Sequence, residues 1–435
     1  MVKSSLPMSE PYTLTTLSNG LRIITIPMAG VQSVGEMVWV SAGTRHETKK
    51  VNGIAHFLEH MVFKGTKKFK NSEVISRTVE GIGGILNAYT DTEFTAYWCK
   101  VTKQHFDQGL DLISQLAIYP TLPATEIKKE SGNVIEEINR REDRPDEIGL
   151  EEFFSLLYPD QPFGRATLGT KEIVSSLRRS DFERFRQSHY SPDKMTVVIA
   201  GAVTPAQVEK SVRSIFGNLK RYSTVPAVPV VERQKVPGVR LYYKETTAQA
   251  HIYLGARAFA QSDPDRSIFY VLNSILGQGM SSRLFLNVRE KKGLAYSVSS
   301  ETALYSDAGL WVAYAGLNKE KMQDGIGGIL EEMKRIREVK VGEKELTEAK
   351  EKIRGPLVFL LENPFKVAEF YGLKAVTNQE LEGPEQEAEA VMAVTAEDVR
   401  RVAQRLFTNA RLNLAVVGPY KPEEKERFLK VLRIN

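Results

Sequence analysis

Three side chains able to do metal chemistry stand close together between Gly53 and Thr66, in the run Gly-Ile-Ala-His-Phe-Leu-Glu-His-Met-Val-Phe-Lys-Gly-Thr. His56 and His60 are four residues apart, and Glu59 immediately precedes the second histidine. Ile54, Phe57, Leu58, Met61 and Val62 recur at steps of three and four, which predicts a helix with one apolar face. Asn52 is the expected N-cap and Gly65 the expected stop. On such a helix the two imidazoles lie one turn apart on a shared face and can hold one zinc ion. Glu59, three residues from His56, can bring its carboxylate to a water at the metal. The order H-x-x-E-H inverts the commoner H-E-x-x-H zinc helix. The chain has only six histidines in 435 residues, so two of them at this spacing weigh against a merely structural pair beside a solvated glutamate.

A catalytic zinc takes three protein ligands and keeps a fourth position open. The helix expected over residues 125–142 carries Glu130 and Glu137, two turns apart, on the face of Ile127 and Val134. Glu136 points about 100° away from Glu137. A carboxylate on an inner helix face needs a partner there. By spacing alone Glu130 and Glu137 are both possible ligands, and exposed charges on an acidic helix are the competing reading.

The elements that must position these residues follow from periodicity and turn chemistry. Residues 12–17, 20–27 and 33–41 read as strands, with Asn19-Gly20 as a hairpin turn between the first two. After the motif helix a second helix starts near Asn71-Ser72 and ends at Gly81, Gly83 and Gly84, and a strand pair spans Leu86–Lys100. Helices are expected over 104–118, 125–142, 147–157, 179–188 and Pro205–Phe216, with a buried-type strand from Lys194 to Ala200. Between Asn218 and Gly238, Pro226, Pro229 and Pro237 interrupt any regular element, and the stretch reads as an extended linker.

Beyond the linker the pattern returns. Asp181, Gly201 and Pro205 recur as Asp398, Gly418 and Pro422, each 217 positions on and without a gap, which marks an internal repeat. Leu58-Glu59-His60 lines up with Leu272-Asn273-Ser274, and Gly65 with Gly279. The second copy therefore lacks the metal ligands. The expected domains are 1–217, which carries the zinc motif, the proline-rich linker 218–238, and a homologous metal-free domain 239–435.

Composition narrows the function classes. Hydrophobic residues make up 42% and charged residues 26%, an ordinary balance for a globular chain. A net charge of +5 without a dense Lys/Arg block gives no footprint for nucleic acid. The single cysteine, Cys99, cannot form an intrachain disulfide. Residues 1–21 lack the apolar core of a secretion signal, and no stretch approaches 18 apolar residues, so a cytoplasmic protein without a membrane span is expected. Gly81-x-Gly83-Gly84 has no following Lys-Ser/Thr and is no phosphate loop. His46, His105, His189 and His251 have no ligand spacing and are expected to be structural.

The whole pattern resembles the inverzincin peptidases: pitrilysin, insulin-degrading enzyme and, most closely, the β-type subunits of mitochondrial processing peptidase and their bacterial relatives. The resemblance rests on four stretches. They are His56-Phe-Leu-Glu59-His60, Gly83-Gly84-x-x-Asn87-Ala88-x-Thr90, Val134-Ile135-Glu136-Glu137-Ile138, and Ser282-Arg283-Leu284-Phe285 with Arg289-Glu290-x-x-Gly293-Leu294-Ala295-Tyr296. It implies an α+β fold of two homologous domains, each a largely antiparallel sheet with helices packed on one face. It selects Glu137, 77 residues beyond His60, as the third ligand of one zinc per chain, and Glu130 as a helper. It implies Glu59 as general base, Asn87 and Ala88 on a strand that pairs with an extended substrate, and Arg289 and Tyr296 as substrate-facing groups. Gly277-x-Gly279 resembles the family's glycine-rich loop, for which a plain helix cap is an equal reading. In the family two bowl-shaped halves enclose the site, so one chain of this length implies a homodimer acting on short or unfolded polypeptides. The resemblance leaves two alternatives: a non-catalytic core-type subunit, and one half of a heterodimeric processing peptidase, which in a eukaryote would sit in the mitochondrial matrix.

Overall fold

The structure, a computed structural model, describes residues 11–434. The reading of residues 1–21 as free of a secretion signal thus falls partly outside the described residues. Contacts divide the chain into two compact units that do not follow chain order. The first takes residues up to 135 with 167–227 and 360–383, and the second takes 136–166, 228–359 and everything from 384 on.

The first unit is built on a six-stranded sheet. Its strands are β1 (Thr13–Thr16), β2 (Arg22–Pro27), β3 (Ser33–Val40), β4 (Ile85–Thr90), β5 (Thr95–Thr102) and β6 (Met195–Gly201), in the order β1-β2-β6-β3-β5-β4. Only β2 and β6 run parallel. The helices of the first half of the sequence are α1 (Ile54–Val62), α2 (Ser72–Glu80), α3 (Phe106–Ile118) and α4 (Ala124–Asp143), then α5 (Pro145–Leu157), which belongs to the second unit, α6 (Lys171–Ser176), α7 (Arg179–His189) and α8 (Pro205–Phe216). α1 lies against β4 and α7, where Phe57 meets Phe182 with ring centroids 5.1 Å apart. α3 covers β3 and β5, and α8 lies on β2.

The second unit repeats this plan. β7 (Gly238–Tyr243), β8 (Ala250–Ala258), β9 (Ala295–Leu304), β10 (Gly309–Leu317) and β11 (Leu412–Gly418) form a five-stranded sheet in the order β7-β11-β8-β10-β9. This is the order β2-β6-β3-β5-β4 over again, with the parallel pair β7–β11 in the place of β2–β6. The helices of the second half of the sequence are α9 (Arg266–Leu276), α10 (Met322–Glu338), α11 (Glu343–Leu360) and α12 (Pro364–Val376), which belongs to the first unit, then α13 (Pro384–Ala393), α14 (Ala396–Leu406) and α15 (Lys425–Val431). A π-helix spans Leu284–Lys291. The sequence repeat is therefore a structural one, and the two sheets with packed helices match the α+β expectation.

Alternation along the strands gives each sheet two apolar faces, and each sheet carries one helix on its second face. In the first unit Ile24, Ile26, Met37, Trp39, Val198 and Ala200 pack with Val367, Ala368 and Tyr371 of α12. The approach is close: a Cβ at Gly372 would fall 2.0 Å from Trp39 Nε1, so only glycine fits there. In the second unit Phe153 and Leu157 of α5 pack on Tyr253, Leu310, Val312 and Ala415, while Ile252, Leu254, Trp311 and Val416 face the larger core on the other side. The two halves of the sequence thus exchange a helix. Residues 219–237 carry no helix or strand. Gln161 brackets Val231 there, donating to its carbonyl at 3.1 Å and accepting from its N–H at 2.8 Å. Among the described residues no helix is long and apolar enough to cross a membrane.

Candidate metal centre

α1 buries Ile54, Phe57, Leu58, Met61 and Val62 completely, as its periodicity requires, and this fixes the rotation of its polar face. The rings of His56 and His60 are 4.6 Å apart between centroids. The N-terminus of α1 is held differently from the expectation. Gly53, not Asn52, occupies the N-cap, at φ +95°, and a Cβ there would lie 2.5 Å from the Leu168 carbonyl. The orphan N–H groups of the first turn go to the carboxylate of Glu47, which accepts from Gly53 N at 2.7 Å and Ala55 N at 2.8 Å. Asn52 donates its own amide to the same carboxylate at 2.7 Å. A carboxylate at the positive end of a helix is also favoured by the macrodipole. The loop that carries Glu47 is pinned to the β4–β5 turn by the buried Arg45–Glu93 ion pair and by Arg45 N donating to Thr92 O at 2.9 Å.

Glu137 reaches the same place from α4. One ligand atom each from His56, His60 and Glu137 lie within 4.8 Å of one another. Two imidazoles and a carboxylate suit zinc, and three ligands leave a coordination position for water or substrate. Glu130, two turns earlier on α4, stands behind this group. Its Oε1 is 3.1 Å from His60 Nδ1, which leaves Nε2 as the nitrogen a metal can take. Its Oε2 accepts from Lys64 Nζ at 2.6 Å and Asn133 Nδ2 at 2.9 Å. Burial alone would raise the Glu130 pKa, but the hydrogen bonds from Lys64 and His60 outweigh it and hold the carboxyl below the usual carboxylate range. Of the two acidic residues that spacing left open, Glu137 falls in the candidate ligand group with His56 and His60, and Glu130 bonds His60. Glu136 is exposed.

Glu59 is half-buried on α1. Beneath it Tyr97 and Tyr190 share a buried hydrogen bond of 2.9 Å between their hydroxyls. Burial pushes both phenols up, and the negative charge of Glu59 adds to the rise, which places that carboxylate near them. Asn87 and Ala88 lie on β4, the open edge of the sheet and the strand against α1. Asn87 Oδ1 accepts from Ala88 N at 2.9 Å.

The second unit brings Arg289 and Tyr296 together. The Arg289 guanidinium lies 4.7 Å from the Phe285 ring and 5.9 Å from the Tyr296 ring, and it pairs with Glu290 at 3.6 Å. Two features invisible in the sequence shape this corner. Arg289 rides on the π-helix, a wind often found at functional sites. Tyr296 is the extra residue of a β-bulge: Ser297 pairs with Gly316 and Ala295 with Leu317, and Tyr296 is skipped. Bulges re-aim side chains, and Tyr296 is 75% exposed.

The other histidines have structural settings. His46 accepts from Gly43 N at 3.1 Å, and its ring lies 5.4 Å from that of His189. Burial, and then the neighbouring His189, push its pKa down to about 3, so it is neutral. His251 Nδ1 is 3.0 Å from the Tyr314 hydroxyl. His105 bonds Gln108 at the surface. Sequence reasoning missed Glu47, Lys64 and Asn133. The helical steps from His60 to Lys64 and from Glu130 to Asn133 could have flagged the last two, but nothing local marks Glu47.

Residues 22–171 match the family described as insulinase, peptidase family M16, and residues 176–353 match the peptidase M16 inactive domain. A protein from Streptomyces coelicolor named an uncharacterized zinc protease is 34% identical over 420 residues, covering 95% of this chain and 91% of its own. The uncharacterized zinc protease YmxG of Bacillus subtilis is also 34% identical, over 93% of this chain and 97% of its own. Among solved structures, a protease from Helicobacter pylori superposes with a TM-score of 0.87 at 25% identity, over 94% of this chain and 99% of that one.

Proposed function

Because the chain belongs to peptidase family M16, we propose that it is a zinc metalloendopeptidase cleaving short or unfolded polypeptides, and that it works as a homodimer enclosing its substrate. The observation that carries this reading is the convergence of His56, His60 and Glu137 within 4.8 Å beside Glu59. These three residues would hold one zinc ion per chain. Zinc there supplies Lewis acidity, polarising a peptide carbonyl and lowering the pKa of water toward neutrality. Glu59 takes the proton of the attacking water and delivers it to the leaving amine. Glu130 fixes the ring of His60 through Nδ1. β4 offers an unpaired edge to which an extended peptide adds by main-chain hydrogen bonds, with Asn87 and Ala88 in contact. Such pairing reads little sequence and requires the substrate to be locally unfolded.

In functional terms residues 1–217 form the catalytic domain, 218–238 the linker, and 239–435 a homologous domain that contributes Arg289 and Tyr296 to substrate. Tyr296 would donate to the oxyanion as it forms, and Arg289 would hold the substrate backbone or a carboxylate through its planar fork. In the dimer each chain supplies this pair to its partner's zinc site.

The decisive experiment combines metal analysis of the purified protein with digestion of a random peptide mixture, the cleavage sites being read by mass spectrometry. About one zinc per chain and internal cleavage of unfolded peptides are expected. A metal-free active enzyme, or release of terminal residues only, overturns the reading. Sharing between chains is tested by mixing Glu59→Gln and Tyr296→Phe proteins under conditions of subunit exchange. Heterodimers with one intact site should regain activity; proven heterodimers that stay at the parental background rule out sharing.

A further inference from the structure

Lys64 lies one helical step beyond His60, just past the end of α1, where the helix's zinc-binding face would end. Its ammonium is 2.6 Å from Glu130 Oε2, and its side chain is only 21% exposed. Glu130 itself is 5% exposed. A surface ion pair would contribute little, but a carboxylate this buried must be fully paired to stay in place. Its two oxygens are divided between two tasks. Oε1 faces His60 Nδ1 at 3.1 Å, and Oε2 takes both Lys64 Nζ and Asn133 Nδ2.

From this division we infer that Lys64 is a positioning residue for the metal site, acting on His60 through Glu130. An ammonium can only donate, so the oxygen facing Lys64 must accept. Together with the Asn133 amide it fixes the rotation of the carboxylate and leaves Oε1 as the acceptor for His60. A neutral imidazole carries one N–H. With an acceptor held at Nδ1 that proton stays on Nδ1, and the Nε2 lone pair stays free for zinc. Without Lys64 one donor to Oε2 is lost, the carboxylate can turn, and the Nε2–H tautomer becomes accessible. That tautomer cannot bind a metal through Nε2. Partners of this kind, one bond removed from the ion, typically change metal affinity by about 10–100-fold when lost. Lys64 is a further bond removed, so the lower end of that range, about tenfold, is expected.

The inference rests on His60 being a zinc ligand, and the test separates the two. Zinc dissociation constants are measured by chelator competition for the wild type, Lys64→Met, Lys64→Arg, Glu130→Gln and the Lys64→Met/Glu130→Gln double variant. Imidazole nitrogen shifts in the metal-free wild type and Lys64→Met report the His60 tautomer. Failure of the wild type to bind zinc, or unchanged binding in His60→Ala, overturns the metal site itself. With the wild type bound, the expected results are about tenfold weaker zinc in Lys64→Met, recovery of most of that in Lys64→Arg, and a shift of the His60 proton toward Nε2. The Lys64→Met change should add nothing when Glu130 is already Gln. Unchanged affinity in Lys64→Met, or an equal loss in the Glu130→Gln background, overturns the role of Lys64. Should Lys64→Met not fold, Lys64→Leu, which likewise carries no donor, is read against the same criteria.

Discussion

α1 and α9 follow equivalent strands, β3 and β8, in two sheets of the same strand order, yet they use their polar residues in opposite ways. On α1, Glu59 and His60 are half-buried, and the His60 side chain keeps 25% of its surface. At the aligned positions of α9, Asn273 is 7% exposed and Ser274 fully buried. Asn273 Oδ1 accepts from Ser300 Oγ at 2.7 Å and from Trp311 Nε1 at 3.1 Å. Ser274 Oγ donates to Ala349 O at 3.0 Å on α11, as His60 meets Glu130 on α4. The second copy commits these groups to its own interior. The first leaves them half-buried at the candidate metal centre, with Glu47 bonded at one end of the helix and Glu130 at the other. The aligned positions thus differ in where their polar atoms are committed: on α9 within the core of the unit, on α1 at the half-buried candidate site.

The contrast is sharpest at Glu59. Glu59→Gln should keep fold and zinc but lower peptide hydrolysis by about two to four decades, because an amide cannot take the proton. Near-normal turnover in single-turnover assays would remove Glu59 from the chemistry. Next in size, alanine at His56, His60 or Glu137 should leave the purified chain without stoichiometric zinc by atomic emission. A His60→Ala protein that retains one equivalent breaks the ligand assignment. On the scaffold side Asn273→Ala strands the buried donors of Ser300 and Trp311 and should cost about 1–3 kcal/mol in urea unfolding, with zinc content unaltered. A loss of zinc without loss of stability would erase the distinction between the two helices.

The smallest effect concerns the sheets. β3 buries Glu36 completely under α3, against Gly109, where the second sheet buries Ile252 at the same register position. Burial, and then the charge of Asp107, push the Glu36 carboxyl well above its usual range. The folded state therefore favours the protonated acid. That contribution is intact below the ordinary carboxylate pKa of about 4.3 and is lost as pH rises through the raised value. Urea midpoints should fall for the wild type as pH rises above the ordinary carboxylate range, and fall less for Glu36→Gln. Parallel curves for the two proteins would show that Glu36 does not titrate in the fold.

Much of this was legible in the chain. Pro205–Phe216 was bounded by its Thr204 cap, which accepts from Gln207 N, and by Gly217. The α1 face and the 217-residue repeat followed from periodicity and spacing. What escaped is nonlocal or geometrical. Glu47 caps a helix six residues away through a loop whose course depends on Arg45 and Glu93. The bulge at Tyr296 depends on the register against β10, and the wind of the π-helix leaves no residue signature. The burial of Glu36 also escaped, because nothing in the strand itself announces α3 above it.

The exchange of α5 and α12 bears on how the chain is made. Synthesis delivers the six strands of the first sheet by residue 201, but the helix that covers Trp39, Met37 and Ile24 does not emerge until residue 376. For the intervening 175 residues the nascent first half displays an apolar sheet face with no cover of its own. α5 meanwhile leaves the ribosome before any strand of the sheet it will lie on. Neither half can complete its interior by itself, so expressing the two sides of the linker as separate chains, each alone, should yield two insoluble fragments and not two working modules.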